Sequence, residues 1–366
     1  MSIKVLFEPI QINQPKNQPK MHLKQSLIIA VTLSVISLVA WELYWRSQGY
    51  FPDLDEDKYL WAHTRAKVDK TNDDGVVLIG SSRVLFNIQV GKWQQLTGIT
   101  PIQLANPGAS PLPVLHDIVE NSDFKGTIVV GVTEGLFFST TFPQAGPWRR
   151  AASRAEFYQD ETYAQKLNFQ LGLPLQNTFA FISNDDEKWF DDINLKALLN
   201  TIEFPSRTGK PDFPPFYRFQ DIDINRNTRM KDRMLTDTAF NNSVKTVWKA
   251  MMNGDIPPPD KKGTTEFFLK DVEKFKARGG KIILLRSPSD GFFKDLESQF
   301  LPRVEFWDEL VSKANVPAYH YQDYEVLSAF ETIEWSHLSA EDADKFTENF
   351  VNLLLKDNHI TNQKTN

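Results

Sequence analysis

The sequence predicts an α/β protein: a three-layer open parallel sheet with helices on both faces, one N-terminal transmembrane helix and a long central insertion. Three observations predict it. Short runs of consecutive apolar, often β-branched residues recur along the chain, helical stretches separate them, and one uncharged run lies near the start. Continuous apolar runs suit strands buried on both faces, and strands alternating with helices imply parallel pairing through right-handed crossovers.

Composition narrows the function. The 366 residues suffice for one large domain or two ordinary ones, and 41% hydrophobic with 24% charged residues is a globular balance. Twenty-seven Phe and nine Trp supply a sizeable core. A net charge of −6 argues against phosphate-backbone binding as the main task. With no cysteine, disulfides, Cys-ligated zinc, iron–sulfur clusters and thiol catalysis are excluded.

In chain order, residues 1–24 read as a polar cytoplasmic tail. Residues 25–41 carry no charge, and Leu43, Tyr44 and Trp45 extend them into an aromatic belt, giving an anchor over 25–45. A cleaved signal peptide shares this pattern. The long preceding stretch and the poor small-x-small site around Ser37–Ala40 favour an uncleaved anchor. Lys16, Lys20 and Lys24 before the span, against Arg46 and Lys58 after it, put the N-terminus in the cytoplasm and the domain outside it.

Residues 46–74 read as a stalk with a charged helix over 53–69, closed by the turn Asn72-Asp73-Asp74-Gly75. The domain spans 75–358. Strands are expected at 76–79, 102–105, 127–132, 281–285 and 316–321, with helices at about 113–121, 265–278, 301–314 and 340–355. From about 140 to 262 the alternation stops, and proline clusters mix with aromatics and charges. This interval reads as an insertion or lid. Its Trp148-Arg149-Arg150 and Phe216-Tyr217-Arg218-Phe219 suit a contact surface or a small core. Residues 359–366 form a polar tail.

Chemistry-bearing residues gather at the ends of the expected strands. Gly80-Ser81-Ser82-Arg83 follows the first strand and places a serine at a helix start, where backbone N–H groups favour negative charge. Either serine also suits a helix cap. Asn106-Pro107-Gly108 ends the second strand, where a glycine N–H can approach an oxyanion. Gly131-Val132-Thr133-Glu134 ends the third, and Arg286-Ser287-Pro288-Ser289-Asp290 the fourth. Glu334-Trp335-Ser336-His337 precedes a helix that Ser339 caps, with Asp342 at its third position. A serine nucleophile needs an imidazole base and a carboxylate to orient it. Arg286 suits either a salt bridge or a substrate contact, and Arg83 is a second candidate for substrate contact.

The order of these blocks resembles the SGNH (GDSL-type) hydrolase superfamily over residues 76–355, without the insertion. The resemblance implies a flavodoxin-like sheet, Ser82 as nucleophile, Glu334 and His337 completing the triad, and Ser82, Gly108 and Thr133 at the oxyanion hole. Three positions depart from the family pattern: Ser81 for Asp, Thr133 for the oxyanion Asn, and Glu334 for Asp. The anchor, the Gly-Ser-Ser start and the insertion resemble the membrane-anchored branch typified by alginate O-acetylation and teichoic-acid D-alanylation proteins. That branch implies O-acyl transfer or ester hydrolysis on an envelope glycan or glycolipid, beside a polytopic membrane-bound O-acyltransferase. The motifs call for no metal or cofactor. A non-catalytic partner or glycan-binding subunit is the alternative. No glycine-rich nucleotide-binding motif follows any strand.

Overall fold

A computed structural model of the chain describes residues 23–141, 145–183, 214–252 and 258–364. The expected tail before residue 23 and the stretch 184–213 of the insertion lie outside the described residues. Seven strands are present among them: β1 (Val76–Ile79), β2 (Ile102–Gln103), β3 (Thr127–Gly131), β4 (Gln220–Ile222), β5 (Thr228–Met230), β6 (Lys281–Arg286) and β7 (Ala318–His320). Five form a parallel sheet in the order β2-β1-β3-β6-β7, while β4 and β5 pair antiparallel within the insertion.

Period-two alternation divides the apolar runs between two cores. Val76, Leu78, Val129, Ile283 and Leu285 point to one face. There they meet Val84, Phe86, Trp93, Val244, Phe346 and Phe350. Val77, Ile79, Ile128, Val130, Ile282 and Leu284 point to the other, against Leu115, Ile118, Phe268 and Phe275. Both faces are covered, which is why these strands contain no polar alternation.

The chain leaves β1 outward to β2, then crosses back to β3 on the other side. The β1 and β3 ends therefore diverge into neighbouring loops, the position where ligands sit in open parallel sheets. Helix Ser82–Asn87 packs tightly there. A Cβ on Gly131 would lie 2.0 Å from Val84 Cγ2, and one on Gly80 2.5 Å from the same methyl. Glycine at both strand ends lets this helix settle onto the sheet edge.

Helix Leu23–Ser47 has 25 residues, none buried, and is long and apolar enough to cross a membrane. Trp41, Tyr44 and Trp45 cluster near its end, with ring centroids 5.4–5.9 Å apart.

Three expectations change. The segment read as a stalk packs into the domain. Helix Lys58–Arg65, capped by Asp57, buries Trp61 and Arg65 completely. The Trp61 indole donates to Leu104 O at 3.1 Å and Arg65 Nε to Asp117 at 2.6 Å. Its charges are paired inside, so a polar sequence does not make it a solvated rod. The expected helix 301–314 is shorter and comprises a π-turn, Val304–Asp308, followed by Glu309–Ala314, with a separate helix at Gly291–Phe300 before it.

The insertion contains regular structure: helices Gly146–Asp160, Tyr163–Gln176 and Thr238–Met252 besides the β4–β5 pair. Phe216, Phe219, Met230, Phe240, Val247 and Trp248 join the sheet's first core, and Ala151 and Ala155 its second. Phe216 and Phe219 are thus part of the main core, while Tyr217 between them is exposed.

Candidate active site

The turn after β1 separates the two adjacent serines by role. Ser81 is the N-cap of helix Ser82–Asn87, with extended backbone, and its hydroxyl accepts from Arg83 N at 3.3 Å. It also bonds the Thr133 hydroxyl at 2.8 Å, joining the β1 and β3 loops. Ser82 follows as the first helical residue and is half-buried. The local rule that a serine caps a helix is satisfied by Ser81, leaving the Ser82 hydroxyl uncommitted to the cap.

The second block is the loop before helix Ala340–Lys356, which Ser339 caps by accepting from Asp342 N at 3.1 Å. His337 and Glu334 are buried, 1% and 0% exposed. His337 Nδ1 hydrogen-bonds Glu334 Oε1, and its backbone N donates to Oε2 at 3.3 Å. A carboxylate facing Nδ1 requires the proton there, so in the neutral ring Nε2 carries the free lone pair. Nε2 is shielded from solvent and has no hydrogen-bond partner among the described residues.

Backbone strain shapes this loop. Trp335 sits in the left-handed region at φ 77°, a conformation that costs a bulky residue roughly 1–3 kcal/mol and persists where neighbours enforce it. They do so here. Ile333 N donates to His337 O at 2.8 Å, Asp290 N to Trp335 O at 3.1 Å, and Leu338 N to Asn87 Oδ1 at 3.0 Å. Asp290 also accepts from Thr332 N at 2.7 Å.

Three aromatic rings enclose the imidazole. Phe86 stacks on it with centroids 4.3 Å apart, and Phe219 and Trp248 lie at 5.9 and 6.3 Å. Phe86 belongs to the serine helix, but Phe219 and Trp248 come from the insertion. The other deeply buried histidine, His320, has no carboxylate partner of this kind. Burial, with Arg286 and Arg303 nearby, pushes it down to about 3, and its Nδ1 accepts from Gln322 N.

Gly108 turns at φ +58°, a conformation glycine adopts without strain, and its carbonyl accepts from Arg150 at 3.0 Å. The Ser82 N–H, at the first helical position, has no intrahelical acceptor. Neither it nor the Gly108 N–H donates to a backbone acceptor among the described residues. The Thr133 hydroxyl shares a hydrogen bond with Ser81 in which either oxygen can donate.

A neighbouring amide is left over. Asn106 N donates to Gly80 O at 2.9 Å, placing it beside the serine turn. Arg154 donates to Asn106 Oδ1 at 3.2 Å, which fixes the amide orientation and leaves Nδ2 buried without a partner among the described residues. In the sequence, an Asn before Pro-Gly reads as a turn former; its buried, unpaired amine is visible only in three dimensions.

The two arginines part ways. Arg286 is buried and donates to Glu134 at 2.7 Å, to Glu297 at 2.5 Å, to Ser289 at 3.1 Å and to Ser287 O. Of the two expectations for Arg286 the salt bridge is present: it is the centre of an ion cluster. Burial pushes Glu134 up, with the Glu297 charge adding to it. Burial also opposes ionisation of Glu297, but Arg286 and Arg83 hold it down at about 2.

Arg83 pairs with Glu297 at 2.7 Å and donates to Ser336 Oγ at 3.2 Å, so it ties the serine helix to the histidine loop. One of its terminal nitrogens, Nη1, is buried and has no partner among the described residues.

Away from this site, His116, Glu120 and Asp271 bring their ligand atoms within 4.8 Å of one another. Pairing accounts for them: His116 faces Asp271 at 3.1 Å, and Glu120 pairs with Lys274. No protein-family model matches the chain, and no curated protein matches it.

Proposed function

We propose that this chain is a membrane-anchored serine O-acyltransferase or esterase of the SGNH type, built on a flavodoxin-like sheet and acting outside the cytoplasm on an envelope glycan or glycolipid. One observation carries the reading: a buried imidazole held by a buried carboxylate, its second nitrogen unpaired, beside a helix that starts with an uncommitted serine. Such an arrangement costs burial energy and supplies a base.

His337 Nε2 takes the Ser82 proton as Oγ bonds to the acyl carbonyl carbon. The N–H groups of Ser82 and Gly108 receive the developing oxyanion, and Asn106 Nδ2 is a side-chain donor at that edge beside Thr133. The carbon–leaving-group bond breaks as His337 returns the proton to the leaving group. A sugar hydroxyl or water then gives its proton to His337, bonds to the acyl carbon and releases Ser82. Glu334 stabilises the imidazolium in both halves.

Phe219 and Trp248 keep water from the imidazole, which favours transfer over hydrolysis. The acyl donor is an acylated carrier, with a polytopic membrane-bound O-acyltransferase as the partner that supplies it.

A second reading, a non-catalytic partner subunit, draws on the engagement of Thr133 with Ser81. One experiment separates the two. Full-length protein in membranes is treated with a fluorophosphonate and digested for mass spectrometry. The enzyme reading expects an adduct on Ser82, lost in Ser82→Ala and strongly slowed in His337→Ala. An unlabelled Ser82 together with undiminished cellular function of Ser82→Ala rejects it. A reporter fused after Asn366 should be active only outside the cytoplasm; cytoplasmic activity rejects the topology.

A further inference from the structure

Helix Tyr163–Gln176 of the insertion has two apolar faces, and the domain uses only one. Phe169 and Leu173 turn inward onto Leu54, Leu60 and Ile222. On the other side Tyr163, Leu167, Leu171 and Leu175 are exposed, at 80%, 40%, 64% and 51%. Spaced four residues apart, they span about 120° of the helix circumference. Lys166 is the helix's one charged residue. A capping box between Thr162 and Gln165 fixes its start.

The chain immediately after this helix is bonded to the end of the membrane-spanning segment. Glu42 accepts from Ala180 N at 2.9 Å and Phe181 N at 3.2 Å, and Arg46 donates to Thr178 O at 2.9 Å. Glu42 and Arg46 lie among Trp41, Tyr44 and Trp45, the residues that mark the membrane–water boundary. Residues 178–181 are therefore held at that boundary, and Leu175 is three residues away. Phe179, Phe181 and the exposed Ile182 continue the apolar surface.

We propose that helix Tyr163–Gln176 lies on the outer surface of the bilayer that anchors the chain, its Leu167–Leu171–Leu175 stripe seated among the lipid headgroups and upper acyl chains. The occupant is lipid. An amphipathic helix with a broad apolar stripe partitions to this depth, and the tether to residues 42–46 delivers it there. With its inner face packed on Leu54 and Leu60, the helix gives the domain a second attachment. The domain then has a fixed orientation over the membrane, where a flexible tether would let it tumble. The inference rests on reading Leu23–Ser47 as membrane-spanning.

The absence of cysteine makes the test direct. Single cysteines are placed at Leu167, Leu171, Leu175, Lys166 and Val35 of the full chain. Each is labelled with an environment-sensitive fluorophore and reconstituted into phosphatidylcholine–phosphatidylglycerol vesicles. The three leucine positions should lose most of their emission to lipids carrying a shallow nitroxide and little to aqueous iodide. Lys166, on the flank, should show the reverse, and Val35 should respond to a deep nitroxide. Leucine labels quenched by iodide as readily as Lys166, with Val35 still in lipid, would overturn the proposal. Labels protected from both quenchers would overturn it too, assigning the stripe to a protein cover such as residues 184–213 or a second copy. A Val35 label that no lipid quenches removes the anchor itself, and the proposal with it.

Discussion

Glu56→Gln probes how the insertion grips the loop that carries Gly108. The Glu56 carboxylate accepts from Arg154 at 2.6 and 2.9 Å and from Arg226. Those guanidiniums in turn hold the end of β2: Arg154 bonds Asn106, while Arg226 donates to Gln103 O at 2.7 Å and Ala105 O at 2.8 Å. One carboxylate therefore pairs with two buried guanidiniums that hold residues 103–106. Burial pushes Glu56 up, but Arg154 and Arg226 outweigh it and hold it down at about 2, from 4.5.

A depression of that size corresponds to about 3 kcal/mol of folded-state stability, present above the unfolded value and lost as pH falls from about 5 towards 2. Glutamine removes the carboxylate charge that faces Arg154 and Arg226, so the variant should lose roughly 3–5 kcal/mol at pH 7. The gap between wild type and variant should shrink by about 3 kcal/mol by pH 2. Urea unfolding of the full chain in a neutral detergent, followed through its tryptophans at several pH values, measures both quantities. A gap that does not change with pH, or a loss below about 1 kcal/mol at pH 7, would refute the reasoning.

Other outcomes follow from the same geometry. Ser82→Ala, His337→Ala and the double variant should lose similar activity, because nucleophile and base act as one unit; additive losses in an acyl-transfer assay would show that they do not. Ser81→Ala should cost about 1 kcal/mol of stability through the lost cap and leave fluorophosphonate labelling of Ser82 in place. Trp248→Ala should cost roughly 3–5 kcal/mol and raise hydrolysis relative to transfer on a soluble ester, read as the ratio of the two products. Glu334→Gln should fold and label more slowly than wild type but faster than His337→Ala, since an imidazole remains to accept the proton.

The sheet was legible because its strands are buried on both faces. A run such as Val76-Val77-Leu78-Ile79 has few alternatives to a central parallel strand, and all five expected sheet strands are found within about three residues. Ser339 with Asp342 marked the start of the last helix for a local reason, the cap itself. A helix long and apolar enough to cross a membrane was legible from length and apolarity alone.

What the sequence by itself determined is thus what local patterning fixes: the apolar periods, the helix starts, the uncharged span, a serine after the first strand and a histidine before the last helix. The tertiary structure alone decided the rest, because those outcomes depend on which distant groups meet. Ser81 is told from Ser82 by Thr133, 52 residues away. Arg286 is drawn into an ion cluster by Glu134 and Glu297. Asn106 is left with a bare amine because Arg154 claims its oxygen. Phe219 and Trp248 reach His337 only because the irregular interval folds back onto the sheet. Charge pairing and ring contact act through space at a few ångströms, and chain order carries no record of which partners the fold will bring within that range.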